Sequence, residues 1–289
     1  MVKIGADVSS AAKRVHTTLM KKMIPRVTRR RFLARAAATA GALAVAFPSS
    51  VAAAEPLRWG NLKGRFVYDG KPPERKRLKV DKDVACCSKF DIRDESLLVG
   101  RNGGLANVFV YLRTRRVAVC PDLEKKAAKE VLLDNRDCIF KPHCMKIWLG
   151  KQEYHIVNSD PIAQTVAFSP LGDAPANIVL AAAPGENVDA RWKFRRRQAV
   201  PVAIHCNYHP WEIAFVLPLD HPYVDISAAD GTFCIAKLPV GRWEFQAWHE
   251  KAERLDTPQW PKGRFTVTIK PGTNDLGTIK ITPAMLEKK

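Results

Sequence analysis

Three residues able to hold a metal stand at three-residue intervals in the segment HCNYHPWEIAFV (205–216): the Cys206 thiol, the His209 imidazole and the Glu212 carboxylate. A thiolate with an imidazole suits copper and zinc alike, and a carboxylate adds a harder oxygen donor. The apolar run from Ile213 to Leu219 follows at once, which places the donors on a short loop beside a strand. His143 and His205 are weaker candidates: His143 follows Pro142 in a turn, and strand alternation points His205 to the face opposite Cys206.

Strands must position this loop, because strand signals dominate the chain. Short alternating or β-branched runs occur at 62–70, 107–113, 145–150, 153–158, 165–169, 200–206, 213–219, 232–238, 242–248 and 265–270, separated by Gly, Pro, Asp and Asn. Helical periodicity is confined to a short charged stretch, Asp122 to Glu130. The pattern predicts an all-β protein of one or two sandwiches.

The net charge of +18 is uneven, since ten of the 47 basic residues but one of the 29 acidic ones lie in residues 1–54. That segment runs from Thr28-Arg29-Arg30-Arg31-Phe32-Leu33 through an apolar stretch (36–47) to Ala52-Ala53-Ala54. It reads as an export signal and resembles the twin-arginine type, which implies a periplasmic or cell-envelope protein with no transmembrane span once the signal is cleaved. Export makes the seven cysteines disulfide candidates, and an odd count leaves at least one for a thiol or metal role. Cys86, Cys87 and Cys138 are the candidates for bridging. The basic run Arg195-Arg196-Arg197 beside Trp192 and Phe194 is read as a charge-guarded strand edge rather than a nucleic-acid contact.

Two separated stretches resemble the carboxypeptidase regulatory-like (Ig-like) β-sandwich. The first is Gly64 to Pro73, with an Asp69-Gly70 turn; the second is Asp230-Gly231-Thr-Phe233-Cys-Ile235-Ala-Lys-Leu238-Pro239-Val-Gly241. Between them, Cys138 to His143, Asn158-Ser-Asp160-Pro161 and Cys206-Asn-Tyr-His209-Pro210-Trp211 resemble a cupredoxin with the amicyanin-type loop. The resemblance covers roughly ninety residues and implies four parts: an export signal (1–54), a regulatory-like sandwich in two pieces (55–129 and 221–289), and an inserted cupredoxin-like domain (130–220). It also implies a type 1 copper site, in which Cys206 and His209 occupy ligand positions, Gln164 stands where the remote His belongs and Glu212 stands where the axial Met belongs.

An amide oxygen for an imidazole and a carboxylate for a thioether disfavour Cu(I) and lower any reduction potential. Three outcomes stay open: an altered copper site, a site for another metal such as zinc, or a metal-free relic. The expectation is a copper-binding protein with an electron-transfer or copper-handling role and a redox partner protein. The rival is a non-catalytic envelope module that binds a glycan or a protein. No Gly-x-Ser-x-Gly, His-Glu-x-x-His, Walker or Gly-x-Gly-x-x-Gly pattern occurs, so no enzyme is expected.

Overall fold

The structure is a computed structural model and describes residues 58–287. The export-signal segment lies outside them. Among the described residues no helix is long and apolar enough to cross a membrane. The chain is all-β, with the strands in order β1 (Trp59–Tyr68), β2 (Phe109–Leu112), β3 (Glu130–Arg136), β4 (Ile139–Lys141), β5 (Cys144–Trp148), β6 (Glu153–Asn158), β7 (Gln164–Phe168), β8 (Ala176–Leu180), β9 (Asp189–Trp192), β10 (Val202–His205), β11 (Ile213–Leu219), β12 (Val224–Ile226), β13 (Thr232–Pro239), β14 (Gly241–His249), β15 (Glu253–Arg254), β16 (Arg264–Ile269) and β17 (Gly272–Ile281). Two short helices, α1 (Val84–Cys87) and α2 (Pro121–Lys126), interrupt them. The helical stretch expected up to Glu130 therefore stops at Lys126, and Glu130 opens β3 instead.

Four sheets form. β13-β1-β17 and β12-β2-β14-β15, with β16 on β14, enclose one core that includes Leu62, Phe66, Val110, Phe233, Phe245 and Ile269. β5-β11-β10-β7-β8 and β4-β3-β6-β9 enclose a second, which includes Leu133, Tyr154, Val166, Phe168, Ile204 and Val216. The strands of this second pair all lie between Glu130 and Leu219. β1 buries alternate residues, the mark of a strand with one wet face. Gly64 on it faces the Phe233 ring so closely that a Cβ would lie 2.8 Å from the ring, so only glycine fits there.

β2 and the end of β14 behave differently, because Phe109–Leu112 and Phe245–His249 are buried without alternation. Their sheet is covered on both faces. Phe109, Tyr111, Val224 and Trp248 on one side meet Leu217 and Leu219 of β11 on the other. Trp248 stands edge-on to Phe109 at 5.6 Å and packs on Phe215 at 5.1 Å. A third apolar layer thus joins the two sandwiches.

The long connection from β1 to β2 folds back on itself, with hydrogen bonds from Leu78 N to Ile92 O and from Asp94 N to Lys76 O, both 2.9 Å. This strap carries α1 and is tied to the second sandwich by a disulfide between Cys87 and Cys138. Cys86, the third disulfide candidate, is a free thiol, since Cys138 has only one sulfur to give. Leu78, Val80, Phe90 and Ile92 of the strap pack with Ile139, Ile162 and Trp211 around the disulfide.

Candidate metal centre

β10 ends at His205 and β11 begins at Ile213, so the loop Cys206–Glu212 closes one end of the second sandwich. Antiparallel pairing of the two strands, His205 opposite Ile213, fixes the loop at both feet. Glu212 N donates to His209 O at 3.0 Å, which curls the loop so that Cys206, His209 and Glu212 face inward. All three are buried, and one ligand atom from each lies within 4.8 Å of the others.

β7 brings the fourth group. Gln164 opens that strand and is fully buried, with Oε1 at 2.7 Å from His209 Nδ1 and 3.4 Å from Cys206 Sγ. Its amide nitrogen donates to Asp160 Oδ2 at 3.2 Å. Asp160 is itself set by the Asn158-Ser-Asp-Pro turn: it also accepts Asp137 N at 2.8 Å and Cys138 N at 3.0 Å. The turn therefore aims the Gln164 carbonyl oxygen at the centre and keeps its amino group away.

The environment of the thiol favours its ionisation. Thr165 N and His209 N each point at Cys206 Sγ from 3.4 Å, and Thr165 Oγ1 lies at 3.5 Å. Burial alone would raise the Cys206 pKa, but hydrogen bonding to His209 and Thr165 outweighs it and holds the thiol below its ordinary value. Burial likewise works against a charged His209, yet its bonds to Cys206, Glu212 and Asp83 push its pKa up to about 10. Burial raises Glu212 above the usual carboxylate range in spite of the imidazole beside it.

Asp83 is the participant that no sequence pattern signalled. Its Oδ2 accepts from His209 Nε2 at 2.8 Å, and it sits on the strap, 126 positions away, immediately before α1. Asp83 adopts a left-handed backbone (φ 43°), which fixes the start of the helix whose end bears Cys87. With Nε2 held by a carboxylate, His209 keeps its Nδ1 lone pair for the interior, the arrangement that orients imidazole ligands of metals. A closed circuit results: Asp83 to Cys87 along α1, the disulfide to Cys138, Cys138 N to Asp160, Asp160 to Gln164, and Gln164 to His209. Trp211 braces it, donating from Nε1 to Cys138 O at 3.0 Å and packing on His209 with ring centroids 5.1 Å apart.

The donor set fits a metal on one observation above all. Glu212, 1% exposed, has the His209 imidazole 3.2 Å from its Oε1 as an ion-pair partner, but the contact lacks good hydrogen-bond geometry. A buried carboxylate without directional partners is costly, and a cation is the usual remedy.

The weaker imidazole candidates lie elsewhere. His205 is exposed because alternation along β10 turns it outward. His143 ends the turn before β5 and pairs through Nε2 with Glu250 Oε1 at 2.6 Å, with Glu95 Oε2 3.7 Å from its Nδ1. That contact joins the second sandwich to β14's end and to the strap, so His143 is engaged away from Cys206.

No protein-family model matches the chain, and no curated protein matches it. Among solved structures, a copper(I) form of an amicyanin variant aligns at 13% identity over 38% of this chain and 98% of its own length, with a TM-score of 0.27. A Cu-containing nitrite reductase from Thermus scotoductus SA-01 aligns at 17% identity over 36% of this chain and 27% of its own, TM-score 0.27. A purple cupredoxin from Nitrosopumilus maritimus aligns at 14% identity over 32% of this chain and 100% of its own, TM-score 0.25.

Proposed function

We propose that this chain is an exported copper-binding protein in which a cupredoxin-like sandwich, inserted into a regulatory-like one, holds copper at an altered type 1 site. Cys206 provides the thiolate, His209 Nδ1 the imidazole donor, Glu212 a carboxylate and Gln164 Oε1 the remaining oxygen. Bound there, the metal would supply one-electron redox chemistry or serve as cargo. The protein's own part is to keep Cys206 deprotonated through Thr165 and His209 N–H groups, to fix the His209 tautomer through Asp83, and to exclude water with the strap and Trp211. A role in electron transfer or copper handling follows, with a redox partner protein where electrons are exchanged.

The buried Glu212 carboxylate, held beside a thiol and an imidazole with a poorly aligned contact to His209, is the observation that carries this reading. Metal analysis with visible and EPR spectra, before and after one equivalent of Cu(II), tests it. An intense thiolate-to-Cu(II) band that vanishes in Cys206→Ser is expected. Folded protein with reduced Cys206 and no such band defeats the proposal. A second reading has one observation in its favour: a protonated His209 is itself a cation beside Glu212, so a metal-free binding or scaffold module is electrostatically self-sufficient.

A further inference from the structure

The end of the second sandwich opposite Cys206 carries a different kind of surface. β7 leaves Gln164 at the metal centre and reaches Phe168 roughly 15 Å away; there the hairpin to β8 turns at Leu171-Gly172. Leu171 is 86% exposed, the most exposed large apolar side chain among the described residues. Nothing lies within 4 Å of where a Cβ on Gly172 would be, so the tip stands free.

A lone exposed leucine means little by itself, but this one is held out by a buried device. Gln198, 4% exposed, accepts Leu171 N at 2.9 Å and donates to Leu171 O at 3.1 Å and to Arg196 O at 3.2 Å. Asp173, on the same turn, accepts Arg195 N at 2.6 Å and Arg196 N at 3.0 Å. One buried amide and one carboxylate thus lock the leucine tip and the arginine run into a single ridge.

On each side of the ridge lies a cleft, of about 1130 and 790 Å³, and Gly172, Arg195 and Arg196 line both. The smaller cleft gathers Arg113, Arg115, Arg197, Arg254 and Arg264 as well, with Asp220 as the one carboxylate among its lining residues. Arg113 pairs with Glu244 at 2.6 Å and Arg197 approaches Asp220 at 3.8 Å, which leaves the cleft strongly cationic. In the larger cleft Glu153 is taken up by Lys193 at 2.6 Å and Arg191 at 3.7 Å.

We propose that this ridge docks the protein on an anionic phospholipid bilayer, Leu171 entering the interface while headgroup phosphates occupy the arginine clefts on either side. The apolar tip is what favours a bilayer over a soluble polyanion, because a polyanion would use the guanidiniums and gain nothing from a projecting leucine. Docked this way, the protein turns the Cys206 end toward the compartment, where soluble partners reach it.

Co-sedimentation of the full chain with vesicles of phosphatidylglycerol and phosphatidylcholine, against phosphatidylcholine alone, tests the proposal. Binding is expected with the anionic vesicles only, weakening as salt rises. Leu171→Ser should lower the partition constant about tenfold, the lower end of what burying a leucine side chain contributes. Arg195→Ser with Arg196→Ser should lower it and flatten its salt dependence. Val84→Ser, another exposed apolar position but on the strap, should leave it unchanged. Circular dichroism establishes that each variant is folded. Equal binding by wild type and Leu171→Ser, with complete displacement by heparin, overturns the proposal in favour of a soluble polyanion. Absence of binding to anionic vesicles at low salt overturns it outright. Both readouts use metal-free protein, so they stand apart from the fate of the copper site.

Discussion

Copper affinity at the Cys206 loop should rise steeply with pH, and the slope follows from where the protons sit. In the metal-free protein His209 binds a proton with a pKa of about 10, and its Nδ1 faces Cys206 Sγ, Gln164 Oε1 and Glu212. A metal on Nδ1 must displace that proton. Below about pH 10 at least one proton leaves per metal bound, so apparent affinity climbs at least about tenfold per pH unit, about a hundredfold over two units. It levels off above about pH 10. Below the Cys206 value a second proton, on sulfur, steepens the slope. Stability of the metal-free protein should move the other way. A histidine whose folded pKa exceeds its unfolded value contributes stability that is complete below about pH 6.5 and is lost as pH rises through about 10. Competition titrations with a chelator of known pH dependence read the affinity, and thermal midpoints of metal-free protein read the stability. Glu212→Gln removes one of the partners that keep His209 charged, so its affinity curve should level off at lower pH. A flat affinity profile, or a metal-free midpoint that rises toward alkaline pH, would refute the proton-filled centre.

Removing the strap's tether should be expensive. The disulfide closes a loop with a sequence separation of 51, and chain entropy alone assigns it about 4 kcal/mol, so Cys138→Ala should lose most of that in urea unfolding. Cys87→Ala should lose less, because Cys86 offers a sulfur within 4.8 Å of Cys138 and can form the bond in its place, which peptide mapping would reveal. Asp83→Asn replaces the carboxylate that holds His209 Nε2, and copper affinity should drop roughly 10–100-fold with little change in folding, as read by the same titration. Trp248→Ala opens the layer between the sandwiches and should cost about 3–5 kcal/mol in denaturant unfolding while leaving the copper spectrum intact.

What could be read from the sequence was local. Cys206, His209 and Glu212 fall within seven residues, so their spacing announced a cluster of donors, and the alternation in β1, β6 and β13 announced strands with one buried face. β3 and β4 were hidden by charges and by the turn residues Asp137 and Cys138, which adopt positive φ to join them. β17 was hidden because its partner β1 lies two hundred residues upstream and pairs with it in parallel, a contact that no local pattern encodes. Asp83 was invisible for the same reason. It belongs to no motif and reaches His209 where the Cys87–Cys138 bond and the apolar cluster around it hold the strap across the sandwich end.

Were copper held at the centre as proposed, the charges of the donor set would decide which oxidation state it favours. Cys206 as thiolate and Glu212 as carboxylate together bring two negative charges, which a divalent ion neutralises and a monovalent ion leaves one short. In the usual blue-copper set, with a thioether in place of Glu212, the thiolate is the sole anion, so the monovalent state is the neutral one. Net charge in a site this buried is penalised, and His209 and Glu212 are 0% and 1% exposed. Glu212 in that position would therefore shift preference toward the oxidised ion and lower the reduction potential. Asp83, itself about half exposed, links the buried His209 to solvent through a 2.8 Å contact. With copper bound, the donor set would thus favour retention of the divalent state.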